Sequence, residues 1–140
     1  MRRAVEGSAV RTDVLIVGGG CGGVGAALAL ASRGVGCVMT EPTAWVGGQM
    51  TSQGVPPDEH AWIEGDGPGV GPAGGFFGAN RSYVSFRQRV RAWYRERGSL
   101  TAAAAAEARL NPGGGWVSRL CFEPRVGHAV LMGMLEEADS

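Results

Sequence analysis

A β-prone apolar run that ends in a glycine-rich turn constrains the fold more than any other stretch of this chain. Residues 14–17 are VLIV, a continuous apolar run that predicts a parallel strand covered on both faces. Gly18, Gly20 and Gly23 follow with GxGxxG spacing. In a dinucleotide-binding turn the first glycine permits the tight turn, the second lets the backbone approach a pyrophosphate, and the third lets a helix pack closely on the strand. The sequence therefore predicts a strand, a phosphate-binding turn and a helix.

The helix is predicted at residues 24–32, which are rich in alanine and leucine, and Gly34 stands where the helix is expected to stop. The first N–H groups of a helix have no intrahelical acceptor, and the helix dipole is positive at that end. A pyrophosphate placed there gains hydrogen bonds and a favourable field. We therefore place the candidate phosphate site where the glycine turn meets the helix.

A second strand is predicted at residues 35–40, and Glu41 stands at its end, 23 residues after Gly18. An acid near this offset accepts hydrogen bonds from both hydroxyls of an adenosine ribose and repels a 2′-phosphate. The residues alone therefore favour FAD or NAD over NADP. The alternative is a glycine-rich turn that binds nothing, which requires the strand, the glycines and the acid to be in register by accident.

The glycine pattern extends well beyond the turn. It continues as GxGxxGxxxAxxLxxxG over residues 18–34, and five residues separate Glu41 from the pair Gly47 and Gly48. This string resembles the FAD-binding signature of the glutathione-reductase-like flavoproteins, in which the acid is followed by a glycine pair close to the dinucleotide. The resemblance implies FAD as the cofactor and assigns Gly47 and Gly48 to its binding.

Three later strings, at residues 41–64, 81–94 and 110–127, are similar to a group of bacterial FAD-dependent oxidoreductases without a settled substrate. The resemblance covers roughly residues 13–135. It implies transfer of a hydride or electrons between a small organic substrate and the flavin N5, and it identifies no catalytic base. Because such enzymes are several times longer, we expect this chain to be the N-terminal part of one, a truncated product without function, or one of two polypeptides that complete the site. A nucleotide-binding module without catalysis is the other alternative.

The expected fold class is α/β, with an incomplete Rossmann-like βαβ unit of parallel strands and additional helices. Residues 1–12 are predicted to be a disordered lead-in, and residues 13–140 the N-terminal part of an FAD-binding domain. Within that part, the glycine- and proline-rich residues 65–79 are predicted to form a flexible insertion. Glycine makes up 25 of the 140 residues, so ordering this chain carries a high entropy cost and its stability is expected to be marginal.

Two amphipathic helices are predicted in the second half of the chain. In residues 82–97 aromatic and apolar side chains recur every three or four positions. The opposite face carries Arg87, Arg91 and Arg95, and we expect that face to be solvated, with contact to an acidic substrate or another domain as the alternative. Pro124 opens the second helix, at a position in the first turn where proline is tolerated.

Further polar residues are candidates for the site. Arg119, in a short strand predicted at residues 116–121, is the candidate to hold a substrate carboxylate or a flavin phosphate. The irregular loop after Glu41 carries four polar residues that either hydrogen-bond the flavin ring or diphosphate or, with equal weight, bond within their own loop. These four residues are Gln49, Thr51, Ser52 and Gln53.

His60 lies in an acidic cluster with Asp58, Glu59 and Glu64. A histidine among acids is a candidate general base or metal ligand, whereas a solvated loop is the commoner outcome. No other stretch has the spacing of a metal site, so no metal is predicted.

Charge and cysteine content narrow the classes of partner and compartment. The formal net charge is zero, which gives no electrostatic reason to expect nucleic acid or an anionic membrane as a partner. The three cysteines have neither metal-site nor redox-pair spacing and indicate reduced thiols in a cytoplasmic protein.

Arg2 and Arg3 suggest an export signal, but the apolar stretch after them carries the nucleotide-binding pattern and no cleavage site. The uncharged run at residues 14–31 approaches the length of a membrane span, yet six of its residues are glycines in or near the turn, which favours the βα unit.

Overall fold

Two parallel strands joined by a helix form the N-terminal part of the fold. In the computed structural model, β1 (Val14–Val17) leads through the glycine turn into α1 (Cys21–Ala31), and β2 (Cys37–Thr40) returns beside β1. The register places Val14 opposite Cys37, a parallel pairing that needs the crossover connection which α1 supplies. The α/β class and the parallel βαβ unit predicted from the sequence are confirmed. The structure describes residues 9–54, 57, 59, 63–64, 79–116 and 118–139.

Four further helices follow in the described residues. Their bounds are α2 (Gln49–Ser52), α3 (Arg81–Arg97), α4 (Ala102–Ala106) and α5 (Pro124–Ala138). The Asn80 side chain accepts a hydrogen bond from the Tyr83 N–H at 2.8 Å and caps α3, and Thr101 caps α4 in the same way through the Ala104 N–H. Pro124 stands in the first turn of α5, as predicted. No helix in the described ranges is long and apolar enough to cross a membrane.

The core lies between the helices, on the side of the sheet that α1 covers. Phe86 of α3 and Val126 of α5 are among its fully buried side chains, and Val24 of α1 belongs to the same cluster. Full burial of side chains of this kind contributes about 1.5–3 kcal/mol each. On the other side, Leu15 and Val17 of β1 are 58% and 82% exposed. The expectation that β1 is covered on both faces is therefore not met in the part of the chain that the structure describes.

Local elements differ from the prediction at two places in the loops. Residues 116 and 118–121 form no strand, and two of their N–H groups bond to side chains instead. The Cys121 N–H donates to Asn111 Oδ1 at 2.6 Å, and the Leu120 N–H donates to Ser118 Oγ at 3.0 Å. The loop after β2, predicted to be irregular, contains the short helix α2. Most of the predicted lead-in and insertion lies outside the described residues.

The arginine face of α3 is not solvated as a whole. Arg87 and Arg91 are 4% and 9% exposed, and they form ion pairs with Glu59 and Glu64. Burial alone would raise the pKa of Glu64, but the hydrogen bonds and charges of the two arginines outweigh it and hold this pKa below its ordinary value. Arg95 is exposed, as expected. The expectation was wrong for Arg87 and Arg91 because the periodicity of α3 carries no information about acids from another segment that cover its polar face.

Replacing Arg87 by methionine should leave Glu59 and Glu64 buried without this partner. We expect the free energy of unfolding to fall by about 3–5 kcal/mol, the usual cost of breaking a buried ion pair. Arg89→Met is the matched control, since Arg89 pairs with Glu137 at 2.6 Å and the two side chains are 42% and 62% exposed. Loss of this exposed ion pair should lower the free energy of unfolding by about 1 kcal/mol or less. Urea unfolding measures both, and equal losses would show that the Arg87 pairs matter no more than a surface pair.

Candidate functional site

The turn between β1 and α1 brings the helix and the strand into close contact. A Cβ added at Gly23 would stand 1.9 Å from the carbonyl oxygen of Gly18 and 3.4 Å from the Ile16 side chain, so only glycine fits there. Gly18 has φ +100°, a conformation that residues with side chains rarely adopt. A Cβ at Gly20, by contrast, would meet no described atom within 4 Å. Chain geometry therefore explains Gly18 and Gly23, and the space beside Gly20 is open to a ligand.

The start of α1 has the features of an anion-binding position. Gly20 is the N-cap and supplies no side chain to the helix N–H groups, and the first turn has no acidic residue. The Val24 N–H donates to the Gly20 carbonyl at 3.0 Å. The N–H groups between these two residues have no acceptor within the helix. Together with the positive end of the helix dipole, they favour a bound phosphate.

Glu41 lies beside the same turn, and hydrogen bonds hold its carboxylate there. Oε2 accepts from the Gly19 N–H at 3.0 Å, and Oε1 accepts from the N–H and the hydroxyl of Thr43 at 3.1 and 2.8 Å. The bond from the Thr43 hydroxyl has the largest effect and lowers the pKa of Glu41, and the bond from the Thr43 N–H lowers it further. The side chain is therefore ionised at neutral pH. A carboxylate has about four acceptor positions, so Oε2 keeps one for a further donor such as a ribose hydroxyl.

Gly47 and Gly48 lie directly against the turn. The Gly47 N–H donates to the Gly19 carbonyl at 2.8 Å, and the Cys21 thiol donates to the Gly47 carbonyl at 3.0 Å. A Cβ on Gly48 would stand 3.2 Å from the Cα of Gly20. The structure therefore brings together, at one end of α1, the glycine turn and the glycine pair that the sequence placed in separate motifs.

A cleft of about 430 Å³ opens beside the turn, between α1, α2, α3 and α5. Cys21 at the start of α1 borders it, and so do Gln49 and Gln53 from the α2 segment. The rest of the lining is mostly apolar, including Phe86 and Leu131. Gln49 thus borders the same cleft as the start of α1. The predicted contact of Gln49 with the flavin ring or the diphosphate requires such a position.

Thr51 and Ser52 use their hydroxyl groups within their own loop. Thr51 is fully buried and donates to the Val46 carbonyl, and Ser52 Oγ donates to the Gly48 carbonyl at 2.7 Å. Of the two alternatives stated for the polar loop residues, bonding within the loop therefore holds for this pair. The two glutamines of the cleft remain candidates for cofactor contact.

The two described residues of the acidic cluster, Glu59 and Glu64, have a structural role. Glu59 and Glu64 are paired with arginines of α3, which argues against either as a general base. Asp58 and His60 lie outside the described residues. In the described ranges, no group of three or more His, Cys, Asp or Glu side chains is arranged to hold a metal ion. The Arg119 side chain is exposed, and its contact with substrate or cofactor stays a prediction.

His128 of α5 reaches the site region although no sequence pattern predicted it. Its Nδ1 accepts from the Val46 N–H at 3.3 Å, and its ring stacks on Trp45 with the ring centroids 4.4 Å apart. His128 and Val46 are 82 residues apart in the sequence, so no local spacing connects them. The amphipathic pattern of α5 predicted only that this helix packs, not which loop it contacts.

The sequence model of the family described as FAD dependent oxidoreductase matches residues 13–140. The chain belongs to this family. The match confirms the resemblance to FAD-dependent oxidoreductases, and the parallel strands and helices agree with an incomplete Rossmann-like unit. It supports a general role in FAD-dependent oxidation and reduction. No curated protein and no solved structure matches the chain.

Gly23→Ala should disrupt the turn, because its Cβ would overlap the Gly18 carbonyl oxygen. We expect the free energy of unfolding to fall by about 1–3 kcal/mol, as at other overpacked positions. Gly25→Ala is the control in the same helix, since its Cβ would meet no described atom within 4 Å and alanine is about 1 kcal/mol better than glycine in a helix. Thermal unfolding should therefore show Tm moving in opposite directions. A Gly23→Ala protein as stable as wild type would contradict the packing described for the turn.

Proposed function

We propose that the protein binds FAD at the β1–α1 turn and uses it to oxidise or reduce a small organic substrate. The observation that carries the proposal is the arrangement of the turn, where an uncapped helix start, an ionised carboxylate and a glycine pair surround one open space. A dinucleotide with a diphosphate and an unsubstituted ribose requires these groups. The family match supports FAD rather than NAD as that dinucleotide.

In this proposal each part of the site contacts a different part of the cofactor. The N–H groups at the start of α1 bind the diphosphate, which approaches the backbone on the open side of Gly20. Glu41 accepts a hydrogen bond from the adenosine ribose at Oε2. Gly47 and Gly48 border the dinucleotide, and Gln49 bonds to the flavin ring or the diphosphate.

Bound FAD would supply the centre that accepts or donates a hydride or electrons, while the chain supplies binding and orientation. The second candidate is a nucleotide-binding module without catalysis of its own, since the groups described at the turn serve to bind a dinucleotide and none of them is assigned to a substrate. Anaerobic reduction of the bound flavin by a small organic electron donor distinguishes the two when its rate is compared with that of free FAD and the same donor, because only an enzyme accelerates the transfer. The cytoplasmic location and the completion of the site by a second polypeptide stay predictions.

Glu41→Ala should weaken FAD binding, because it removes the charged acceptor of a hydrogen bond from the ribose. We expect the Kd for FAD, measured by isothermal titration calorimetry, to rise by about 10- to 150-fold. Glu41→Gln keeps one acceptor oxygen and should lose less. Glu107→Ala removes an exposed acid outside the site and serves as the matched control. Unchanged FAD affinity in Glu41→Ala would refute the assignment of the ribose to Glu41.

A further inference from the structure

Helix α5 holds the loop that carries the glycine pair. The Val46 N–H donates to His128 Nδ1 at 3.3 Å, and the His128 ring stacks on the Trp45 ring with centroids 4.4 Å apart and planes inclined by 11°. The Trp45 indole N–H donates in turn to the Thr51 carbonyl at 2.7 Å. One histidine therefore contacts both residues that precede Gly47.

The peptide groups of this loop are hydrogen-bonded to three different elements. Besides the bond to α5, the Val46 carbonyl accepts from the Thr51 hydroxyl of α2, and the Gly47 N–H donates to the Gly19 carbonyl of the turn at 2.8 Å. Val46 is only 3% exposed, so water has little access to its N–H. Without His128 that N–H would be a buried donor with no acceptor, which costs more than a hydrogen bond contributes. The loop would then shift to regain an acceptor.

We propose that His128 is a positioning residue for the cofactor site. It acts through Val46, because the bond from the Val46 N–H to Nδ1 sets where Gly47 and Gly48 lie against the α1 turn. The inference rests on the proposed function, since the dinucleotide is what needs the glycine pair in that place. Because Nδ1 accepts, the neutral ring carries its proton on Nε2. His128 touches the loop rather than the reacting atoms, so it is not a catalytic residue.

The hydrogen bond and the ring stacking of His128 can be separated by substitution. His128→Phe keeps a ring against Trp45 and removes the acceptor. His128→Asn removes the ring and places a carbonyl oxygen close to the position of Nδ1. If His128 only filled space, phenylalanine would be the better replacement. If it positions the loop, asparagine is the better replacement.

Amide hydrogen exchange, measured by NMR on the protein without FAD, tests the loop directly. In His128→Phe we expect the Val46 amide to exchange about tenfold faster, while Val90 in the core of α3 keeps its wild-type rate. In His128→Asn the Val46 rate should return close to wild type. Ala129→Asn, an exposed change on the same helix, controls for substitution in α5. An unchanged Val46 rate in His128→Phe, or an equal increase in both His128 variants, would overturn the inference.

FAD affinity is the second measurement on the same variants. We expect the Kd for FAD to rise about tenfold in His128→Phe, the equivalent of about 1.4 kcal/mol, and to return toward wild type in His128→Asn. Faster Val46 exchange without any loss of FAD affinity would refute the role in cofactor binding. Failure of the wild-type protein to bind FAD would refute the proposed function, and the Val46 rates would still decide whether His128 fixes the loop.

Discussion

The close approach of α1 to β1 at Gly23 is the contact on which the rest of the site depends. Because no side chain separates Gly23 from the Gly18 carbonyl, the helix begins immediately after the strand and its unpaired N–H groups lie at the turn. The Gly18 N–H donates to the Thr40 carbonyl at 3.0 Å, which ties the turn to the end of β2. Glu41 is the next residue and so reaches the turn. One steric requirement thus places both the anion-binding N–H groups and the carboxylate.

Helix α5 joins this unit to the helical part of the protein. It packs on α1, α2 and α3, and its apolar face shares the core with Phe86 of α3. Leu131 on the same face, together with Thr51 of α2, leaves no room for a side chain at position 47. A Cβ on Gly47 would stand 2.7 Å from the Leu131 side chain and 2.5 Å from the Thr51 hydroxyl. Gly47 also has φ +103°, a backbone conformation that would be strained for a residue with a side chain. Core packing and the shape of the site are therefore set by the same helix.

Short-range sequence patterns predicted the turn, but they did not predict contacts between residues that are far apart in the sequence. The strand, the glycine spacing and the helix are each encoded within a few residues, so β1 and α1 were found where expected. The sequence placed Arg87 in solvent because helical periodicity describes one helix alone, whereas its burial comes from Glu59, 28 residues away. His128 was missed for the same reason, since its partner Val46 lies 82 residues away. The predicted strand at residues 116–121 is absent from its described residues, where the Asn111 and Ser118 side chains bond two N–H groups that a sheet would need.

Size-exclusion chromatography of the protein with equimolar FAD tests the central claim most directly, with flavin and protein absorbance recorded together. We predict that the flavin comigrates with a compact protein peak, because the turn, Glu41 and the glycine pair are already assembled around the open space beside Gly20. A compact protein peak from which the flavin elutes separately would contradict this claim, since the site would then be formed and yet bind no FAD.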